Sequence, residues 1–425
     1  MVDAHGNNLA FLLCTPRSGS SLATVMLQNH SKLFATQEMW FLMSLLDLKS
    51  APRRAYGGGA ILDRFFNGVL PGEAFEEACR SFALQVYNGL LRSGGGADTI
   101  IDKSPRYYYL LEFLDALFPR SRRIWLIRNP FAVLASYKKL GSSRGGSSDL
   151  TAMLGSSAFD IKAADLTVGL LRYCRYFSRP DPFAYRLHYE KLVADPRGQL
   201  TGLCRFLGTE YEDGMENYGE RMGSSKSGLY FSMGVGDPNV AEHAAPHEDS
   251  VHAWKDVLTK REAELYGRML GARVFVELGY GEQLEEAEKW AGVRFGQEPD
   301  DSLMALRARQ LAEATGCSWE ADYEMRSDFS GGEKKLSAAS KTGRRVSDVD
   351  DDVRQPHDSH SQLLQLQMTV RALEQRLESG ILEQRRLRSQ LNAMKRKADW
   401  LKSAIPFGSR LSRLASAYMV GGGKK

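Results

Sequence analysis

Cysteine is scarce in this chain of 425 residues: Cys14, Cys79, Cys174, Cys204 and Cys317, odd in number and widely spaced. None stands at a metal-ligand spacing from another cysteine or a histidine, so no metal site is expected, and the five read as buried free thiols in a reducing compartment. Long apolar runs are lacking as well. The longest largely apolar stretch, Met39 to Leu46, falls well short of the roughly 20 residues a membrane-spanning helix needs. Met1 is followed by polar Asp3, His5, Asn7 and Asn8 instead of a basic and then an apolar segment, so no secretory leader is expected and the cytoplasm is the expected compartment. An excess of positive charge is also missing from most of the chain. Of 56 Lys and Arg and 52 Asp and Glu, residues 361–425 hold 13 and 4 respectively. The remainder is net acidic, so the main domain is not expected to bind nucleic acid.

What is present is material for a core. Hydrophobic residues make up 43% and aromatics 10%, which excludes global disorder. Leu9 to Cys14 is a continuous apolar run that ends in Thr-Pro-Arg-Ser-Gly-Ser-Ser, after which Leu22, Val25, Met26 and Leu27 recur at helical spacing. That is strand, glycine-containing loop, helix. Thr99–Asp102 predicts a second buried strand and Tyr107–Phe118 a helix. Ile124–Ile127 predicts a third strand, closed by Arg128-Asn129-Pro130 and followed by a helix over Phe131–Lys139. Tyr185–Leu187 leads to Tyr189-Glu190-Lys191-Leu192 and a helix near Gln199–Leu207. Short apolar strands alternating with helices predict an α/β fold, a P-loop-like parallel sheet sandwiched by helices.

The compact pattern fades near Gly296, so residues 1–296 are taken as the catalytic domain and 297–360 as a partly helical and then flexible linker, rich in Ser, Gly, Asp and Lys. Across 361–402, Leu363, Leu366, Val370, Leu373 and Leu377, then Leu387, Leu391, Met394, Ala398 and Leu401, keep alternating spacings of three and four, broken at Gly380 and Gln384. This period predicts a C-terminal coiled coil and self-association into a homo-oligomer, with a lone amphipathic helix as the alternative. Residues 403–425 form a basic amphipathic tail that could touch an anionic membrane surface.

The first loop, Pro16-Arg17-Ser18-Gly19-Ser20-Ser21-Leu22, suits an anion: backbone N–H groups at a helix start, serine hydroxyls, a glycine for close approach and a bidentate cation. A serine-rich turn without a ligand fits equally well. A P-loop kinase or NTPase is the competing class, since Thr99–Asp102 looks like a magnesium-holding strand. The loop lacks Gly-Lys-Ser/Thr, however, and with it the phosphate lysine and the metal hydroxyl. Farther on, Arg128 ends a strand and Ser136 lies eight residues later, two turns into the next helix, so both can converge on one anion.

Together the loop and the Arg128/Ser136 pair resemble the two nucleotide-binding signatures of sulfotransferases that use 3′-phosphoadenosine-5′-phosphosulfate (PAPS). Ile101-Asp102-Lys103-Ser104-Pro105, Leu126-Ile127-Arg128-Asn129-Pro130 and Tyr189-Glu190-Lys191-Leu192 match further segments, over roughly residues 9–290. The resemblance is closest to tyrosylprotein sulfotransferases and bacterial relatives acting on small molecules and glycans. It implies that the first loop holds the 5′-phosphosulfate and that Arg128 and Ser136 hold the 3′-phosphate. Tyr189, Ser232 and Trp254 are implied as further nucleotide contacts. Arg17 replaces the lysine common in cytosolic members. Glu38, after the first helix, and Lys103 match the base and second cation of the tyrosylprotein type, and the apolar neighbours Met39, Trp40 and Phe41 suit a proton acceptor. His243 and His247, on a late loop, are the reserve bases. The acceptor expected first is a carbohydrate hydroxyl, then a lipid or polyketide-type hydroxyl. A non-catalytic nucleotide-binding scaffold is the reading from another class.

Overall fold

The computed structural model describes residues 1–50, 58–143, 149–156, 158–221, 245–248, 250–317, 319–320 and 322–327. Five strands, β1 (Leu9–Leu13), β2 (Leu33–Ala35), β3 (Thr99–Lys103), β4 (Arg122–Ile127) and β5 (Ala184–His188), form one all-parallel sheet in the order β2-β3-β1-β4-β5. The α/β expectation therefore holds. Successive side chains of β1 enter opposite cores. Leu9, Phe11 and Leu13 join one cluster, with Ile127 and Phe131, while Ala10 and Leu12 join the other, with Val25, Met26 and Leu203. A sheet buried on both faces demands such unbroken apolar strands.

The helices that matter for the site are α1 (Ser20–Gln28), α2 (Phe41–Ser50), α3 (Ala74–Ser93), α4 (Leu111–Leu117), α5 (Pro130–Ser143), α6 (Tyr189–Ala194), α7 (Pro196–Leu207) and α8 (Asp301–Thr315). No helix among the described residues is long and apolar enough to cross a membrane.

The helix predicted over Tyr107–Phe118 is split. A 3₁₀ turn spans Tyr107–Tyr109, Leu110 leaves helical geometry at φ −135°, and only Leu111–Leu117 is α-helical. The cause is tertiary: the Tyr107 hydroxyl donates to buried Asp102 and the Tyr108 hydroxyl to buried Asp165. Two of the features not foreseen bear directly on the sheet and its cover. One is the three-residue β2. The other is α3, whose inward residues Phe75, Cys79, Ala83, Tyr87 and Leu91 step by four. Beyond Gly296, α8 packs Leu311 into the main core, and the Tyr323 hydroxyl and the Arg326 N–H both donate to buried Asp115, the partner of Arg123 in β4. The coiled coil of 361–402, the tail of 403–425 and most of the expected linker lie outside the described residues.

Candidate active site

Because β1 lies between β3 and β4, the chain connections diverge on either side of it, and such a switch point opens a crevice at the carboxyl ends of the strands. Most of the sequence-predicted groups stand at or just after one of these ends: the first loop after β1, Glu38 after β2, Lys103 at the end of β3, Arg128 and Ser136 after β4, and Tyr189 after β5. The loop after β1 reaches α1 through two residues with positive φ, Arg17 at 71° and Gly19 at 91°. Glycine is required at the second for a further reason: a Cβ there would lie 2.3 Å from the Tyr189 ring. Ser18 and Ser20 are buried, and the Ser18 hydroxyl shares a 3.0 Å hydrogen bond with that of Thr15. Leu22 packs its side chain into the core behind the loop, so it has only backbone to offer a ligand. Pro16 and Ser21 are half-buried at the loop surface.

The structure brings the first loop against the β4–α5 segment. Arg17 Nε donates to Ser136 Oγ at 3.0 Å, and Arg128 Nη1 donates to the Arg17 carbonyl at 3.0 Å. The Arg128 guanidinium lies 4.2 Å from the centre of the Tyr189 ring, and its Nη2 donates to the Ser250 carbonyl. Burial pulls the basicity of Arg128 down, Tyr189 and Glu190 raise it, and nearby Arg17 lowers it again. Among the described residues its hydrogen-bond acceptors are neutral carbonyls, and its buried Nε has none. A half-buried cation arranged this way suits an anion. Glu190 fixes the strand end, its carboxylate accepting from the Asn129 N–H at 3.0 Å and from the Tyr280 hydroxyl at 2.5 Å.

On the other side of β1, the Thr36 N–H donates to the Ile101 carbonyl and the Lys103 N–H to Thr36 Oγ1, which clips the chain after β2 alongside β3. Lys103 Nζ then lies 3.3 Å from Gln37 Oε1 and 3.4 Å from Glu38 Oε1. Lys103 is fully buried whereas the Glu38 side chain is 19% exposed. Burial drives the lysine pKa down and the Glu38 carboxylate pushes it back up. Both contacts are long for charge-assisted bonds, so either partner can turn to a substrate at modest cost. Cys14, at the end of β1, is a neutral thiol, its pKa pushed by burial to about 12, and is no nucleophile.

Asp102, near the end of the strand that looks like a magnesium-holding one, is taken up by hydroxyls. It is fully buried, its oxygens accept from the hydroxyls of Tyr87, Tyr107 and Ser104, and burial raises its pKa to about 6. Trp254 packs inward: its indole is 1% exposed, stacked on Phe131 and edge-on to Trp290, which makes it a core residue. His247 lies on the strap whose Ser250 meets Tyr189 and Arg128. His243 and Ser232 lie outside the described residues. Sequence reasoning missed Gln37 and Ser250, and also Asp165, a buried carboxylate that accepts from Arg106, Tyr108 and Tyr137. No local pattern announces Asp165. Arg106, three residues after Lys103, was the available clue.

The profile described as "Sulfotransferase family" matches residues 10–213. The chain is 28% identical over 291 residues to nodulation protein NoeE of Sinorhizobium fredii (strain NBRC 101917 / NGR234), covering 66% of this chain and 67% of that protein. It is 24% identical over 218 residues to a putative protein-tyrosine sulfotransferase of Caenorhabditis briggsae, covering 51% and 71% respectively. A solved sulfotransferase domain from the Synechococcus PCC 7002 olefin synthase aligns over 67% of this chain and 94% of its own, with 25% identity and a TM-score of 0.40.

Proposed function

We propose, from the match to the sulfotransferase family over residues 10–213 and the similarity to nodulation protein NoeE, that the chain is a sulfotransferase that moves a sulfuryl group from PAPS to a hydroxyl of a glycan or small-molecule acceptor. The observation that carries the choice of donor is Arg128, with its buried unpartnered Nε and carbonyl acceptors, beside the Arg17–Ser136 pair. Arg128 and Ser136 would bind the 3′-phosphate, a group that ATP lacks. The loop N–H groups and serines at the start of α1 would bind the 5′ side.

The donor supplies a sulfuryl group and a phosphate leaving group. Glu38 takes the proton of the acceptor hydroxyl while that oxygen bonds to sulfur and the bond from sulfur to the phosphate oxygen breaks. Arg17 and Lys103 neutralise the charge left on the departing phosphate, the electrostatic role that a metal fills in phosphoryl transfer. The kinase alternative finds less support, because Asp102 is fully buried beneath three hydroxyls. The coiled-coil period of 361–402 favours a homo-oligomer. The test is transfer of radiolabel from [³⁵S]PAPS to a panel of oligosaccharides, lipids and phenols. Labelling of a hydroxyl acceptor is expected. PAPS binding without transfer to any acceptor would favour the non-catalytic scaffold.

A further inference from the structure

We propose that Trp40 is the acceptor platform of this site, its indole stacking on the ring of a pyranose whose hydroxyl is presented to Glu38. The proposal rests on the sulfotransferase reading above and adds a residue and a substrate class to it. Trp40 stands two positions after Glu38, at the start of α2, and three features set it apart.

Its φ is 56°, in the left-handed region, where a bulky residue is an outlier and glycine or asparagine is at ease. Its carbonyl accepts from the Ser44 N–H at 3.2 Å, so it holds the position ahead of α2 where a Ser, Thr, Asp or Asn side chain would satisfy open N–H groups. An indole cannot accept those bonds. Finally, it is 41% exposed, while Met39 and Phe41 on either side pack against the core.

Tryptophan thus occupies a place where asparagine would relieve the backbone and remove exposed apolar surface. Strain of this kind persists where function uses it. The exposed indole offers one large apolar plane two residues along the chain from Glu38, whose carboxylate lies with Gln37 on the Lys103 ammonium. A pyranose has the complementary form, a C–H face to lie on the indole and a rim of hydroxyls to meet the polar side. An alkyl chain would instead need apolar walls all round, as ligand pockets for apolar groups provide.

The test compares the full chain with its Trp40→Phe and Trp40→Asn variants, each loaded with 3′,5′-adenosine diphosphate (PAP), the desulfated product. Binding of a mixture of neutral oligosaccharides is read by saturation-transfer NMR, and thermal stability is followed in parallel. Trp40→Asn is expected to weaken oligosaccharide binding by about 3- to 10-fold, the size of an aromatic stacking contact. It should also melt about 1–4 °C higher, with PAP affinity within about twofold of wild type, and Trp40→Phe should lie between. A lower melting temperature for Trp40→Asn would make Trp40 a structural residue and overturn the proposal, as would equal oligosaccharide binding by all three proteins. Binding of PAP with no oligosaccharide binding by wild type would overturn the pyranose assignment. Failure of wild type to bind PAP would instead strike the sulfotransferase reading itself.

Discussion

Arg128 is held in place by backbone and by an aromatic face: it donates to the carbonyls of Arg17 and Ser250 and lies over Tyr189. Replacing it with alanine removes the groups proposed to meet the 3′-phosphate and leaves the reacting end of the crevice intact. A charged hydrogen bond of this kind is worth about 1.5–3 kcal/mol, so Arg128→Ala should weaken PAP binding by roughly 10- to 150-fold in calorimetry, with a smaller loss of turnover at saturating PAPS. Unchanged affinity would remove Arg128 from the site. Glu38 should fail in the opposite way. Glu38→Gln keeps an amide oxygen within reach of Lys103, so the fold and PAP affinity should hold, but it cannot take a proton. Steady-state turnover should drop by roughly 10²–10⁴-fold, while His247→Ala stays within about tenfold of wild type. A dead His247→Ala beside an active Glu38→Gln would move the base to the late strap. Arg128 could be picked out because it directly follows β4, a strand that its own apolar run reveals, whereas Glu38 follows the unforeseen β2 and came from the family resemblance alone. Trp254 came from the family resemblance, and its burial between Phe131 and Trp290 is a fact of tertiary packing that no local pattern reveals.

The β1–α1 turn joins the two halves of the crevice, and Gly19 is its tightest point. Alanine there faces both a φ of 91° and a Cβ 2.3 Å from the Tyr189 ring, and that ring in turn supports Arg128. Gly19→Ala should therefore lower the melting temperature and abolish measurable PAP binding. Adding Tyr189→Ala should recover part of the stability, because it removes the clash but not the strained φ. Full tolerance of Gly19→Ala would show that the loop rearranges freely. Longer elements were read well where a single physical rule governs them. Strands β1, β3 and β4 are buried on both faces and so read as apolar runs. Strand β2, at three residues, is too short to carry a pattern. Helix α3 hides its period in Cys79, Ala83 and Tyr87, which weigh little on a hydrophobic scale. The Tyr107–Phe118 segment has a helical pattern, yet hydrogen bonds to Asp102 and to Asp165, 57 residues beyond Tyr108, break it.

Across the whole molecule, charge and periodicity divide the chain. The sheet, both of its cores and the closing segment through Arg326 fall within a compact unit, residues 1–335. The 3.5-residue period and the excess of basic side chains belong to 361–425. An apolar seam repeated over several heptads leaves a stripe that a single helix cannot bury, and pairing with a second copy buries it. The groups proposed to bind donor and acceptor lie in the first unit, so association and donor binding should separate cleanly. Light scattering is expected to give an oligomeric mass for the full chain and a monomeric one for a chain ending at Lys335. Both should bind PAP within about threefold of each other, since neither loop nor strand end is altered. A basic tail also predicts how the full chain responds to salt. Its binding to anionic vesicles, if the tail touches membranes, should fade as the Debye length shrinks from about 10 Å at 0.1 M to about 3 Å at 1 M. Apolar pairing along the seam should persist over the same range. A monomeric full chain would mean that the seam folds back on its own polypeptide, and the coiled-coil reading would fall with it.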